Sequence, residues 1–294
     1  MLSDLLKLSQ KRVVLFDGGI GTELIRHGFK SGECPEKWNI DKSDIVISIH
    51  KAYFEAGADI ITTNSFGGST IKLSSYDMED KCYKLNRAAA QLAVSVKPKG
   101  RWVSGSIGPI GKFLKPMGEY EEKDFENAFY EQIKGLIDGG VDILLMETHY
   151  DLKEIICAIR AAQKIFDHPP IFATMTFNKT PRGFYTIMGN SVTQSFEELK
   201  KMGVDVIGAN CTLDSKDMSE LVKIMRDSTT LPILAQANAG QPSVTSEGVV
   251  YTQSLEDYVK YIPEMIKNGA DFIGGCCGTN PEYIHEMFKI INRI

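Results

Sequence analysis

The sequence predicts a single (β/α)8 barrel, and three observations carry that expectation. Eight short apolar runs alternate with stretches of helical periodicity. The runs are continuous and β-branched instead of alternating with polar residues, as in parallel strands buried on both faces. A Gly-x-Asp pattern recurs at every second run. The 294 residues are about twice a typical ~150-residue domain, yet no linker, charge block or Pro/Ser-rich hinge divides them. The expected organisation is therefore one barrel domain over residues 1–294, with a doubly wound open sheet as the alternative.

The runs fall at Val13–Phe16, Asp59–Thr62, Trp102–Ile107, Asp142–Met146, Ile171–Phe177, Asp205–Ala209, Ile233–Ala237 and Asp271–Ile273. Between them, Ser43–Ala56, Asp80–Val96, Asp124–Asp138 and Leu152–Phe166 space apolar residues three and four apart, as helices do. Pro281 suits the first turn of a last helix, Pro281–Ile294. Gly57, Gly140, Gly203 and Gly269 fall where a helix end needs positive φ, and Asp59, Asp142, Asp205 and Asp271 then open the even-numbered strands. Eight such units in this length match the size of a barrel.

Composition excludes several classes of function. With 43% hydrophobic and 24% charged residues, the chain is neither disordered nor fibrous. Thirty-three basic against 38 acidic residues, for a net charge of -5, leave no basic stripe for nucleic acid. No apolar run approaches the ~18 residues of a membrane span. The opening MLSDLLKLSQKR places its charges after its apolar stretch, against the order of a secretory signal, so a cytoplasmic location is expected.

In a barrel the chemistry sits where strands end, and seven of the eight strand ends carry unusual residues. Cys211 follows strand six, and the adjacent pair Cys276-Cys277 follows strand eight. Two readings stay open at this point: small buried hydrophobes, or three thiolates for a zinc ion with a fourth position left open. Gly274, Gly275 and Gly278 would give the backbone tight turns and room for a ligand. Cys34, Cys82 and Cys157, in a loop and two helices, are expected to be buried or incidental. Asp17 and Glu147 end strands one and four with no Lys or Arg beside them. Asp17 either caps the next helix or joins Glu147 around a cationic group such as an ammonium. The Gly18-Gly19 turn offers N–H groups for a carboxylate. Asn238 reads either as a turn residue or as a polar group of the site. His50 and His149 read as exposed or helix-start residues, not ligands.

Together the runs Gly274-Gly275-Cys276-Cys277-Gly278-Thr279-Asn280-Pro281, Asn210-Cys211 and Asp17-Gly18-Gly19 resemble the homocysteine S-methyltransferase family over essentially the whole chain. Met146-Glu147-Thr148, Ser106-Ile107-Gly108-Pro109 and Asn238-Ala239-Gly240 share in the resemblance. It implies a (β/α)8 barrel binding Zn2+ through Cys211, Cys276 and Cys277 and methylating homocysteine to methionine. Asp17 and Glu147 would hold the amino group, the Gly18-Gly19 backbone would lie near the carboxylate, and Asn238 would complete the metal shell before substrate arrives. Gly278 after the cysteine pair, Thr279, Pro281 and Glu131-Gln132 look most like the homocysteine module of cobalamin-dependent methionine synthase. Asn280 departs from the more usual Thr. The 294 residues do not hold folate, cobalamin and activation domains as well, so methylcobalamin would come from a partner corrinoid protein or a missing domain. Competing expectations are a small donor (betaine or S-methylmethionine) and a zinc-thiolate binding module without turnover. The loops 178–195 and 241–252 hold little apolar material for a lid, with Phe184, Tyr185 and Tyr251 as candidates to rim the opening.

Overall fold

The computed structural model describes residues 2–245 and 248–293. Eight parallel strands form the barrel: β1 (Val14–Leu15), β2 (Ile60–Thr62), β3 (Trp102–Ile107), β4 (Ile143–His149), β5 (Ile171–Met175), β6 (Val206–Asn210), β7 (Ile233–Ala237) and β8 (Phe272–Gly275). Neighbours in sequence are neighbours in space, β8 pairs with β1, and a bridge between Phe16 and Ile60 completes the ring. The sequence expectation of a closed (β/α)8 barrel is met, and the open sheet is not. Among the described residues no helix is long and apolar enough to cross a membrane.

The strand period of two sorts side chains into two cores. Val14, Phe16, Ile60, Ile143, Leu145, Phe172, Val206, Leu234 and Phe272 fill the barrel interior. Leu15, Ile61, Val103, Leu144, Met146, Ala173, Ile207, Ala235 and Ile273 face the surrounding helices. Phe16, Phe172 and Phe272 meet at centroid distances of 5.3–6.3 Å, so the lower barrel is a packed plug and not a pore. Two residues further along the same inward phase stand Thr62, Glu147, Thr174, Gln236 and, after Gly208, Asn210. The interior turns from apolar to polar in one layer.

The four-fold Gly-x-Asp repeat has a structural cause. Gly57, Gly140, Gly203 and Gly269 all have positive φ. Each following aspartate accepts an N–H from one of the first two residues of the adjacent odd strand: Asp59 from Leu15, Asp142 from Val103, Asp205 from Ile171 and Asp271 from Ile233, at 2.8–3.0 Å. Arg12 pairs with Asp59 at 2.7 Å, Lys97 with Asp142 at 2.7 Å and Arg226 with Asp271 at 3.3 Å.

Three elements lie outside the sequence expectation. A helix, Leu2–Ser9, docks Leu5 against the lower interior cluster. Hairpins Asn178–Thr180/Gly183–Tyr185 and Pro242–Thr245/Gly248–Tyr251 occupy the two segments read as plain loops. Both follow strands on the upper face.

Candidate metal and substrate site

The ends of β6 and β8 bring three sulfurs together. Cys211, Cys276 and Cys277 lie with their Sγ atoms within 4.8 Å of one another, Cys211 and Cys277 at 4.0 Å. Two sulfurs on one zinc at ~2.3 Å with tetrahedral angles stand about 3.8 Å apart, so the donor set fits that ion. The backbone is strained to achieve this. Cys211 and Thr212 both have left-handed φ, 65° and 62°, a conformation costing roughly 1–3 kcal/mol per residue and concentrated at functional sites. Within the cluster Cys211 is held well below the usual thiol range by hydrogen bonds from its two sulfur neighbours and from Asn238. Cys277, which also receives the Tyr251 hydroxyl, and Cys276 are pushed up by hydrogen bonding to Cys211, by burial and by the Cys211 charge. Three half-buried thiols this close together do not all ionise without a cation. Asn238 is buried, and its Oδ1 has no partner among the described residues.

The turn after β8 is built for this geometry. Thr279 Oγ1 donates to the Cys276 carbonyl at 2.7 Å and accepts the Gly19 N–H at 3.2 Å. A Cβ on Gly275 would stand 2.1 Å from that hydroxyl. Gly278 has φ 83° and carries the Tyr251 ring 2.3 Å from where a Cβ would be. Gly274 has a different role from the expected ligand approach, since its missing side chain makes room for Phe16 in the core.

Asp17 and Glu147 sit beside this cluster. Asp17 does not cap the following helix, whose N-cap is Gly19; it accepts from Thr62 N at 2.6 Å and Thr62 Oγ1 at 2.9 Å. Glu147 accepts from Ser106 Oγ and, at 3.4 Å, from Asn210 Nδ2. Among the described residues neither pairs with a lysine or arginine. Burial pushes both carboxyls up to about 7, helped at Asp17 by the nearby Glu147 charge and at Glu147 by Cys211. A buried and a half-buried carboxylate without a cation are each costly to ionise. At the Gly18-Gly19 turn the Gly19 N–H is already engaged by Thr279.

A cavity of about 720 Å³ opens over these groups, lined by Gly18, Gly19, Glu147, Cys211, Cys276 and Cys277 among others. Ile25, Phe66 and Val250 expose apolar surface at its wall. Of the residues expected to rim the opening, Tyr251 lines the cavity, whereas Phe184 is buried in the outer core. Cys34, Cys82 and Cys157 are buried as expected. His50 and His149 are not exposed: both are fully buried, because their helix and strand faces turn inward. The other group of candidate ligand atoms, Glu122, Glu126 and Cys157, is neutralised by Arg160 at 2.8 Å and Lys164 at 2.5 Å. Asn210 and Thr279 touch the site without having been singled out as site residues. The Asn210-Cys211 dipeptide was the signal for the first.

Residues 14–291 match the family model described as homocysteine S-methyltransferase. The chain belongs to the homocysteine S-methyltransferase family. It is 32% identical to the methionine synthase of Mycobacterium leprae over 99% of this chain, and 31% identical to that of Mycobacterium tuberculosis. The chain spans about a quarter of the length of these curated relatives, 25% and 26%. In fold it is similar to the metallated form of the homocysteine methyltransferase MmuM from Escherichia coli, with a TM-score of 0.81 at 20% identity, covering 97% of this chain and 98% of that one.

Proposed function

We propose that this barrel, residues 1–294, is a homocysteine-binding domain that uses Zn2+ to methylate homocysteine to methionine, with a methylcorrinoid protein or domain as donor. The observation that carries it is the meeting of three converging cysteine sulfurs with two carboxylates that have no lysine or arginine partner among the described residues, Glu147 lining the same cavity and the buried Asp17 near it. Homocysteine offers a thiol and an ammonium at opposite ends of a short chain, and the cavity offers a receptor for each.

Cys211, Cys276 and Cys277 would hold the zinc, with Asn238 at the fourth position before substrate. Zinc in such a site supplies a Lewis acid that lowers the pKa of a thiol entering its open position. The chain's own residues do the rest. Asp17 and Glu147 bind the ammonium, fixed by Thr62 and Ser106. Tyr251 and Asn238 donate to the sulfurs of Cys277 and Cys211 and keep them oriented. Among the described residues no histidine lines the cavity. His149 is buried, its Nε2 lies 3.2 Å from the Ile107 carbonyl, and burial holds its pKa down to about 4. The sulfur lone pair attacks the donor methyl carbon, and the methyl–donor bond breaks as the S–C bond forms.

The corrinoid donor is supported by the methionine synthase relatives and by a cavity that a small amino acid fills only in part. Its apolar rim of Ile25, Phe66 and Val250 suits a large partner. Purified protein, homocysteine and each donor in turn test the reading. Methionine is expected from methylcobalamin and not from betaine or S-methylmethionine. Turnover with S-methylmethionine alone would reassign the donor, and none with any donor would leave a zinc-thiolate binding module.

A further inference from the structure

Asn210 joins the two halves of the site. It is the last residue of β6, 1% exposed, and immediately precedes the strained Cys211. Its Oδ1 accepts from Thr148 N at 2.7 Å and from Thr174 Oγ1 at 2.8 Å. Its Nδ2 donates to Thr148 Oγ1 at 2.7 Å and also reaches Glu147 Oε2 at 3.4 Å and Cys276 Sγ at 3.7 Å.

The orientation of this amide is determined by chemistry. The Thr148 backbone N–H only donates, so the atom facing it must be the oxygen. The NH2 group is thereby committed to the other side. One of its protons satisfies Thr148 Oγ1, and the other stands between a carboxylate of the ammonium receptor and a sulfur of the cysteine cluster. Both neighbours are acceptors when ionised, and a single N–H dipole lies between them.

Thr148 gives the amide its leverage. The β4–β5 register slips between Met146 and His149, and Thr148 has φ 63° within that bulge. A bulge re-aims a side chain: Glu147 keeps the inward phase of Leu145, and beyond the bulge His149 turns outward against Phe129. Asn210 binds Thr148 through both backbone and hydroxyl, so it fixes the bulge, while its own main chain leads directly into Cys211.

We propose that Asn210 is a positioning residue that sets the span between the ammonium receptor and the thiol receptor, and so selects homocysteine over thiols one methylene shorter or longer. The inference rests on the proposed homocysteine reading. A pocket contact alone separates substrates differing by one methylene about 10- to 200-fold. Part of that selectivity depends on the two anchors holding a fixed distance.

The test is calorimetric binding of homocysteine and of cysteine to the zinc-loaded protein and to Asn210→Asp, with zinc content measured on both. The aspartate is nearly isosteric and keeps the acceptor for Thr148, but replaces the bridging N–H with an acceptor facing two other acceptors. Expected are full zinc occupancy, a homocysteine affinity lowered at least about tenfold, and a homocysteine-to-cysteine preference narrowed by a similar factor. A purely packing role would leave this preference unchanged. Should Asn210→Asp not fold, Thr174→Val, which removes one anchor of the amide at a distance from substrate, must narrow the preference in the same direction. Unchanged affinity and preference in a folded variant, or zinc loss with the preference intact, overturns the proposal. Failure of the wild-type protein to bind homocysteine would instead remove the functional reading beneath it.

Discussion

The two ends of the barrel use carboxylates in opposite ways. At the lower rim Asp59, Asp142, Asp205 and Asp271 each receive a strand N–H, and three of them also face an arginine or lysine. At the upper rim the buried Asp17 and the half-buried Glu147 meet only N–H and O–H donors among the described residues. Three of the four lower carboxylates are thus matched by a cation. The upper pair is left short of a cation, so its ionisation is costly until one arrives. Residue type is the same at both ends, and the partner set separates scaffold from site.

The largest effect that sharpens this contrast comes from the third acidic group of the upper rim, the thiols. Cys211→Ser should abolish zinc binding and methyl transfer together, whereas Cys34→Ser, Cys82→Ser and Cys157→Ser should keep a full complement of metal by elemental analysis. Next come the unpaired carboxylates. Glu147→Gln and Asp17→Asn should retain zinc but weaken homocysteine about ten- to hundredfold, the roughly 1.5–3 kcal/mol of a charge-assisted contact. Both should also raise the thermal midpoint at neutral pH, because each removes a buried charge that no cation offsets. Homocysteine affinity unchanged in both variants would end the ammonium role.

Much of this was legible in the sequence because it rests on periodicity and rare residues. Eight β-branched runs and a four-fold Gly-x-Asp repeat fixed strand number and order, and an adjacent cysteine pair is rare enough to mark a site. Asn210 was harder to see, since an asparagine at a strand end looks the same whether it faces solvent or bridges Thr148 to Cys276. The bulge at Thr148 carries no glycine to announce its positive φ. Phe184 stands in a polar loop, yet a short hairpin folds it onto the outer core. His50 and His149 were misread because burial depends on which helix or strand face packs, which a polar residue in isolation does not reveal.

A smaller effect is expected from the lower rim. Asp142→Ala leaves the Val103 N–H without its acceptor and Lys97 without its ion pair. Deleting the acceptor of a buried backbone donor costs roughly 1–3 kcal/mol. Denaturant unfolding should show that loss, while zinc content and homocysteine affinity in the folded fraction stay at wild-type values. A change in affinity without a change in stability would mean that the two rims are coupled and the contrast is false.

The mildest way to probe the upper pair is pH, with a ligand that has no thiol. An amino acid with an alkyl side chain of homocysteine length presents the ammonium but cannot ligate a metal, so its binding reports on the carboxylates. Burial raises both Asp17 and Glu147 to about 7 in the empty site. Below that value the site holds protons that an incoming ammonium must displace, and above it the receptor is already ionised. Affinity should therefore be highest on the alkaline side and fall as pH drops through 7. The slope cannot exceed about tenfold per pH unit for each carboxylate that must ionise. In Glu147→Gln one of the two groups is lost and the mutual repulsion with it, so the remaining dependence should be shallower and shifted to lower pH. An affinity flat between about pH 6 and pH 8 in the wild-type protein would mean that the carboxylates titrate as exposed ones do, and that the upper rim is no less complete than the lower.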